Sequence, residues 1–471
     1  MISSILSQFR PRHLAMLGFC LLALVYYFLF RYDAYGIEEG AARALLINWS
    51  IVQQIANPIA FFGTPDLRAI LFVPLNFHWA GSLAAAKVLT MLFLFATALM
   101  IYPWSVKRDG EETAMIATSL LLISPLCLMQ ADAVGSGIYL LFGFIAIHWF
   151  HNKLREIDHT VPGFYFLLLL MVALVVSIHP IGLAAPIALI IAWWRIKHHC
   201  NQRLILIGVA LTTMVMVWIR WGWSGLDTPS AIPAVLSQIW LGSPLIHAPH
   251  LWVGYLLAAL LLTALAMIPI WRRLDLMSGT LLLAGLIGLY HPDHAWALMV
   301  CALLYFLGTP ALIRFNHYIG GKGIMGQRGL VMAGVMVIAI LCMQSGKLMT
   351  HIRTDQIKSP SDALIALAAQ DANNHNAPFL AASQWPGRTM LACRRDVVPL
   401  PPANDDPKKF SKNIKSLTHI IFNPSIKKNR ALAQNMAALV ESWETVAINS
   451  AGALAKRRIT RTQPSHGAVK N

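Results

Sequence analysis

The chain has 471 residues, 57% of them hydrophobic and only 12% charged, with a mean hydropathy of +0.59. Soluble globular chains of this size do not carry that balance, so lipid rather than a buried core is expected to absorb the apolar excess. The net charge of +16 would suggest nucleic acid in a soluble protein, but the Lys and Arg sit mainly in short segments between apolar runs. There they read as topology signals, and no nucleic-acid partner is expected.

Six cysteines, Cys20, Cys127, Cys200, Cys301, Cys342 and Cys393, lie scattered with no CxxC spacing, so neither a disulfide framework nor a zinc motif follows. The first apolar stretch, 13–30, follows Arg10 and Arg12, is long for a signal peptide and lacks a small-residue cleavage pattern, so it reads as a retained span. Crossing the hydrocarbon layer takes about 20 apolar helical residues. About eleven candidates fit, near 13–30, 81–103, 113–130, 136–150, 163–179, 181–194, 203–220, 250–271, 276–290, 294–313 and 329–346. Lys107, Arg108, Lys153, Arg155, Arg195, Lys197, Arg203, Arg272, Arg273, Arg314, Lys322 and Arg328 then share one side with the N-terminus. By the positive-inside rule the N-terminus is cytoplasmic, and an odd number of spans exports the C-terminus.

The segment 31–80 forms a large first exported loop. Apolar residues recur at helical spacing from Glu38 to Ile55, as in a helix lying in the headgroup layer, before Pro58, Pro65 and Pro74 break the chain. A plain amphipathic loop is the alternative. After about residue 348 the composition turns mixed, and a helix over Ser361–Ala369 ends at Asn373-Asn374. Strand-like runs follow at Pro378–Ser383, Val397–Leu400, Thr418–Phe422 and Thr445–Ile448, with a helix over Arg430–Trp443. The expectation is therefore an α-helical polytopic membrane domain over 1–347 and a small exported α/β domain over 348–471 with a disordered basic tail.

Carboxylates close to the membrane on the exported side are few: Asp33, Glu38, Glu39, Asp66, Asp132, Asp227 and Asp293. Asp132 lies in the very short loop Ala131-Asp132-Ala133-Val134-Gly135-Ser136-Gly137, where desolvation is costly unless a partner or a task holds it. Its bland reading is an N-cap for the fourth span. His291-Pro292-Asp293-His294 carries metal-capable side chains, but its spacing matches no ligand set, and no metal is expected. Trp221, Trp223, Trp240 and Trp252 suit an interfacial aromatic belt.

Several of these stretches resemble one family. Asp33 precedes Glu38-Glu39-Gly40-Ala41-Ala42-Arg43-Ala44-Leu45, the second span opens Gly81-Ser82-Leu83-Ala84-Ala85-Ala86-Lys87, and Leu122-Ile123-Ser124-Pro125-Leu126 leads to Asp132. Together with His179-Pro180-Ile181-Gly182, these resemble the GT-C superfamily of integral membrane glycosyltransferases. The likeness is to the branch of the protein O-mannosyltransferases and the lipid A aminoarabinose transferase. Asp33-Ala34 stands where that branch has an Asp-Glu pair, and Thr64-Pro65-Asp66-Leu67 where it has Lys-Pro-Pro-Leu.

The resemblance implies a GT-C-like fold in the bacterial inner membrane and a periplasmic C-terminal domain. It also implies inverting transfer of a sugar from a polyprenyl-phosphate-linked donor to an envelope lipid, glycan or protein acceptor, with no cofactor. Asp33 is the first candidate for the base that deprotonates the acceptor, the Glu38/Glu39 pair the second, and Asp132 a supporting acid. Phosphate ligands should be cationic and near the exported surface, which leaves Arg43, Arg68, Lys87, His179 and Arg220. Lys87 could instead snorkel to the headgroups, and His179 could merely close a helix. The rival functions are a transporter or flippase of lipid-linked sugars and a catalytically degenerate assembly partner.

Overall fold

Long apolar runs without internal breakers become helices here, and prolines and capping acids mark their ends. The computed structural model describes residues 16–21, 23, 36–52, 66–72, 79–156, 162–194, 202–221, 275–290, 293–310, 360–373, 378–402, 407–426 and 429–458. Contacts divide the chain into two compact units, Met1–Ile357 and Lys358–Asn471.

The first unit is helical throughout its described residues. Its elements are α1 (Glu39–Val52), α2 (Arg68–Leu71), α3 (Trp79–Asp109), α4 (Glu111–Ile123), α5 (Pro125–Asp132), α6 (Ser136–Glu156), α7 (Pro162–Ile178), α8 (Ala184–Trp194), α9 (Gln202–Trp221), α10 (Leu276–Ile287) and α11 (His294–Leu303). A π turn, Leu304–Gly308, extends α11. Among the described residues one helix, Leu83–Asp109, is long and apolar enough to cross a membrane by itself. The expected span 113–130 is instead the pair α4 and α5, bent by 53°. The reason is local: Pro125 has no N–H and holds Ser124 extended at φ −60°, ψ 127°, so the helix restarts. His179, extended before Pro180, divides the spans expected over 163–179 and 181–194 in the same way. The fourth span, expected over 136–150, is a helix of 21 residues. The spans expected at 250–271 and 329–346 lie outside the described residues, as do all but a few residues of 13–30.

The helix expected over 38–55 is α1, which buries Ala41, Ala42, Ala44, Leu45, Leu46 and Ile47 within the protein. At one end of the unit Arg108 ties three elements together. Its Nη1 donates to Ser278 Oγ at 2.7 Å, its Nη2 donates to the Phe306 carbonyl, and its guanidinium lies 4.4 Å from the Trp104 ring centre. Asp275 accepts from Trp104 Nε1 and caps α10 through Ser278 N at 2.9 Å.

The second unit comprises α12 (Pro360–Ala372), β1 (Ala381–Ser383), α13 (Pro386–Cys393), β2 (Val397–Pro399), α14 (Pro407–Asn413), β3 (His419–Phe422), α15 (Arg430–Ala437), β4 (Trp443–Asn449) and β5 (Gly452–Arg457). The five strands form one sheet in the order β2-β1-β3-β5-β4, with β2, β1 and β3 parallel and β5 antiparallel to both its neighbours. Period-two alternation assigns its faces. Ile421 and Leu454 pack with Leu364, Ile365 and Ala368 of α12, while Ile420, Phe422 and Ala455 pack with Phe410, Leu432 and Met436. The helix expected to reach Trp443 ends at Ala437, because Trp443 opens β4 and fills the second of these clusters. The sequence pattern did not indicate β5, α13 or α14. The basic tail lies outside the described residues.

Candidate functional site

The ends of α1, α5, α6, α7 and α11 and an early turn of α3 bring most of the scarce acids together. Glu38 precedes α1. Its backbone N–H donates to the Ala133 carbonyl at 2.8 Å, and its carboxylate Oε2 accepts the Ser136 N–H at 2.5 Å. Glu38 therefore caps α6 from about a hundred residues away, a role that sequence reasoning had offered to Asp132. Asp132 is instead the last residue of α5.

Arg68, 1% exposed, is the hub. Its Nε and Nη2 donate to Asp66 Oδ2 at 3.0 and 2.8 Å, and its backbone N–H donates to Asp66 Oδ1 at 2.9 Å. Nη1 reaches the Val134 carbonyl at 3.3 Å and lies 3.6 Å from Glu38 Oε2. Val134 has a φ of 56°, left-handed for a β-branched residue, and this turn presents its carbonyl to the guanidinium. The Tyr139 ring lies 6.0 Å from the Arg68 guanidinium, and the Tyr139 hydroxyl is 2.7 Å from Thr90 Oγ1. Leu67 N donates to Ser177 Oγ at 3.3 Å, which joins the α2 segment to α7. Gly40 is needed for this closeness, since a Cβ there would stand 2.4 Å from Arg68 Nη2.

Lys87 Nζ stands 3.5 Å from Asp132 Oδ2, with side chains 2% and 0% exposed. Burying either charge alone would cost several kcal/mol, so each is the condition for the other. His179 Nε2 lies 2.7 Å from Asp293 Oδ2, while its Nδ1 accepts the Ile181 N–H at 3.3 Å. An accepting Nδ1 puts the proton on Nε2, which then donates to Asp293. Asp293 Oδ1 also caps α11 through Trp296 N at 2.9 Å.

Arg43, Arg68, Lys87 and His179, four of the five expected cationic ligands, thus each have a carboxylate partner, Arg43 through Glu39 at 2.8 Å. The side chain of Arg220 lies outside the described residues, as does Asp33. The carboxylates differ in access: the Glu38 side chain is 34% exposed and that of Glu39 22%, against 2% for Asp66 and 0% for Asp132. A base must reach its substrate's proton, so Glu38 and Glu39 have the access for that role, and Asp132 is placed to hold Lys87. Asp66 and Tyr139 were missed as site members. The only sequence signal was the short Asp66-x-Arg68 spacing. Asp293 was named among the acids, but not as the partner of His179. Among the described residues no group of three or more His, Cys, Asp or Glu is placed to hold a metal, and His291 lies outside them.

No family model matches the sequence, and no curated protein matches it. Solved structures do. The oligosaccharyltransferase of Archaeoglobus fulgidus, in a complex with Zn and sulfate, is similar with a TM-score of 0.54 at 11% identity, over 93% of this chain and 73% of that one. The same enzyme tethered to an acceptor peptide gives 0.53 at 11% identity, over 95% of this chain and 74% of that one. Arabinofuranosyltransferase AftD from mycobacteria gives 0.46 at 12% identity, over 94% of this chain and 40% of that one. At these identities the likeness shows the fold alone, a mostly helical chain with an α/β region, in common with that oligosaccharyltransferase.

Proposed function

We propose that this chain is an inverting glycosyltransferase embedded in a bacterial inner membrane. It would pass a sugar from a polyprenyl-phosphate carrier to a lipid, glycan or protein acceptor on the periplasmic face, and carry its α/β unit there. The observation that supports this most is the gathering of Glu38, Asp66, Arg68, Lys87 and Asp132 at one set of helix ends, on a fold shared with an oligosaccharyltransferase. The acceptor oxygen or nitrogen attacks the anomeric carbon, the bond from that carbon to the phosphate oxygen breaks, and the acceptor's proton passes to a carboxylate. Phosphate needs cationic stabilisation rather than protonation as it leaves, so one base is sufficient.

Asp33 is the proposed base, with Glu38 and Glu39 next in line. Lys87 is the proposed phosphate ligand, held in place by Asp132, with Arg43, His179 and Arg220 as further candidates. Arg68, paired with Asp66 and Glu38 as Lys87 is with Asp132, is the other buried candidate for the phosphate. The purified protein should turn over a polyprenyl-phosphate-linked sugar. Asp33→Asn should cut that rate roughly 10²–10⁴-fold, the range for a positioned general base, with expression unchanged. Wild-type rates in Asp33→Asn with loss in Glu38→Gln or Glu39→Gln would move the base to that pair. Turnover unaffected by all three would sink the assignment.

A further inference from the structure

The second unit holds a group of amide side chains that the proposed transfer chemistry does not use. In the sheet order β2-β1-β3-β5-β4, the chain leaves β1 toward β2 on one side and leaves β3 toward β4 and β5 on the other. The gap between the carboxyl ends of β1 and β3 is therefore a topological switch point, where open α/β sheets form a crevice for ligands. Gln384 follows β1, and Asn423 and Asn429 follow β3.

These three amides hold one another in fixed orientations. Gln384 Oε1 accepts from Asn423 N at 2.9 Å and from Asn429 Nδ2 at 3.1 Å, and Asn429 Nδ2 also donates to the Asn423 carbonyl at 2.9 Å. Asn423 Oδ1 accepts from Ser425 N at 2.9 Å, and Gln384 N donates to the Ile421 carbonyl at 2.9 Å. Each amide's flip is thus decided by its inner bonds. Two amide donors, Gln384 Nε2 and Asn423 Nδ2, and one acceptor, Asn429 Oδ1, are left with no hydrogen bond to another described residue. The three residues are half-buried, and exposed Pro424, Ser425 and Ile426 rim them.

We propose that this crevice is a binding site for a neutral sugar unit. A sugar hydroxyl both donates and accepts, which matches a set holding donors and an acceptor together, whereas a phosphate or carboxylate would call for donors alone and be repelled by the Asn429 carbonyl oxygen. Because the inner bonds already fix the side chains, little rotamer entropy is lost on binding. The site is separate from the helix-end cluster and does not depend on transfer activity.

The test is saturation-transfer NMR on the full-length protein in detergent, with methyl α-mannopyranoside, methyl β-glucopyranoside and inorganic phosphate as separate probes. Saturable binding of at least one glycoside is expected, weakened about tenfold or more in Gln384→Ala and in Asn429→Ala, a loss of roughly 1.4 kcal/mol. Asn429→Ser keeps a short hydroxyl and covers the case in which Asn429→Ala misfolds; it too should bind more weakly. A surface variant outside both clusters, Lys153→Ala, should bind the glycoside as the wild type does. Binding unchanged in the folded variants, phosphate preferred to both glycosides, or no saturable binding of either glycoside would overturn the site. Absence of glycosyl transfer by the wild type, with glycoside binding retained, would count against the proposed function alone.

Discussion

The two units solve the burial of polar groups in opposite ways. In the helical unit charges are taken inside in pairs: Lys87 with Asp132, and Arg68 with Asp66 and Glu38, all converging on a few helix ends. In the α/β unit the two packed clusters are apolar, and buried His419 meets partly exposed charges, with Asp371 accepting from His419 Nε2 at 3.0 Å and Lys456 Nζ at 2.7 Å. Paired burial is a weak source of stability but a strong source of specificity, since breaking one member strands its partner without water. The first unit therefore has far more to lose from a single charge change.

The sharpest way to break this contrast is at Asp132. Asp132→Ala should destabilise the helical unit by about 3–5 kcal/mol through the stranded Lys87, whereas Asp132→Leu with Lys87→Met should restore folding because both charges are gone. Thermal melting in detergent reads both. A double variant as unstable as the single one would show that something other than the charge pair is at stake.

Next in size is a backbone clash in the second unit. Gly452 has a φ of 153°, and a Cβ there would lie 2.4 Å from the Phe422 carbonyl oxygen, a backbone atom that cannot swing aside. Gly452→Ala should cost about 1–3 kcal/mol by overpacking, read by faster amide exchange in β3 and β5. Gly40→Ala is the counterpart in the first unit. There the obstacle is the end of a side chain, but Arg68 is held on several sides, so a loss within the same range of about 1–3 kcal/mol is expected, along with a looser Glu38. Melting and amide exchange at Ser136 would measure it, and an unchanged Ser136 would mean that Arg68 has room to move.

The smallest expected effect is on pH. Burial lowers the pKa of His419, outweighing its bond to Asp371, so the folded form prefers neutral imidazole. Burial pulls the Asp371 carboxyl up, but the bonds from Lys456 and His419 pull it down further, and its net shift is downward. For His419 the unfolded chain binds the extra proton, so stability is present above the ordinary histidine pKa of about 6.5 and falls as pH drops below it. The Asp371 contribution goes only at lower pH, as the carboxylate is protonated. The second unit should therefore melt at a lower temperature at pH 5 than at pH 7, and His419→Phe should flatten that difference. A His419→Phe variant with the wild-type pH dependence would remove His419 as its source.

Residues close in sequence were legible early. Strands are expected over Pro378–Ser383, Val397–Leu400, Thr418–Phe422 and Thr445–Ile448 from short strand-like runs, and α12 from its capping and apolar spacing. The strand β5 is not, because Gly-Ala-Leu-Ala-Lys-Arg has little intrinsic strand preference and is held by pairing with β3 and β4. Ser124-Pro125 was visible as a motif, yet the region was read as one continuous span.

What the sequence determined by itself is local. The mixed composition after about residue 348, the helix break at His179-Pro180 and the scarcity that singles out Asp132 all follow from period, proline and charge. What only the tertiary structure decided is partnership. Glu38 caps Ser136, Arg68 holds Asp66 beside Gly40, Lys87 meets Asp132, and His179 donates a hydrogen bond to Asp293. The pairs that lie far apart along the chain are not encoded in any local pattern. They arise because charges taken out of water must find an opposite charge or a backbone dipole, and packing decides which one is within reach.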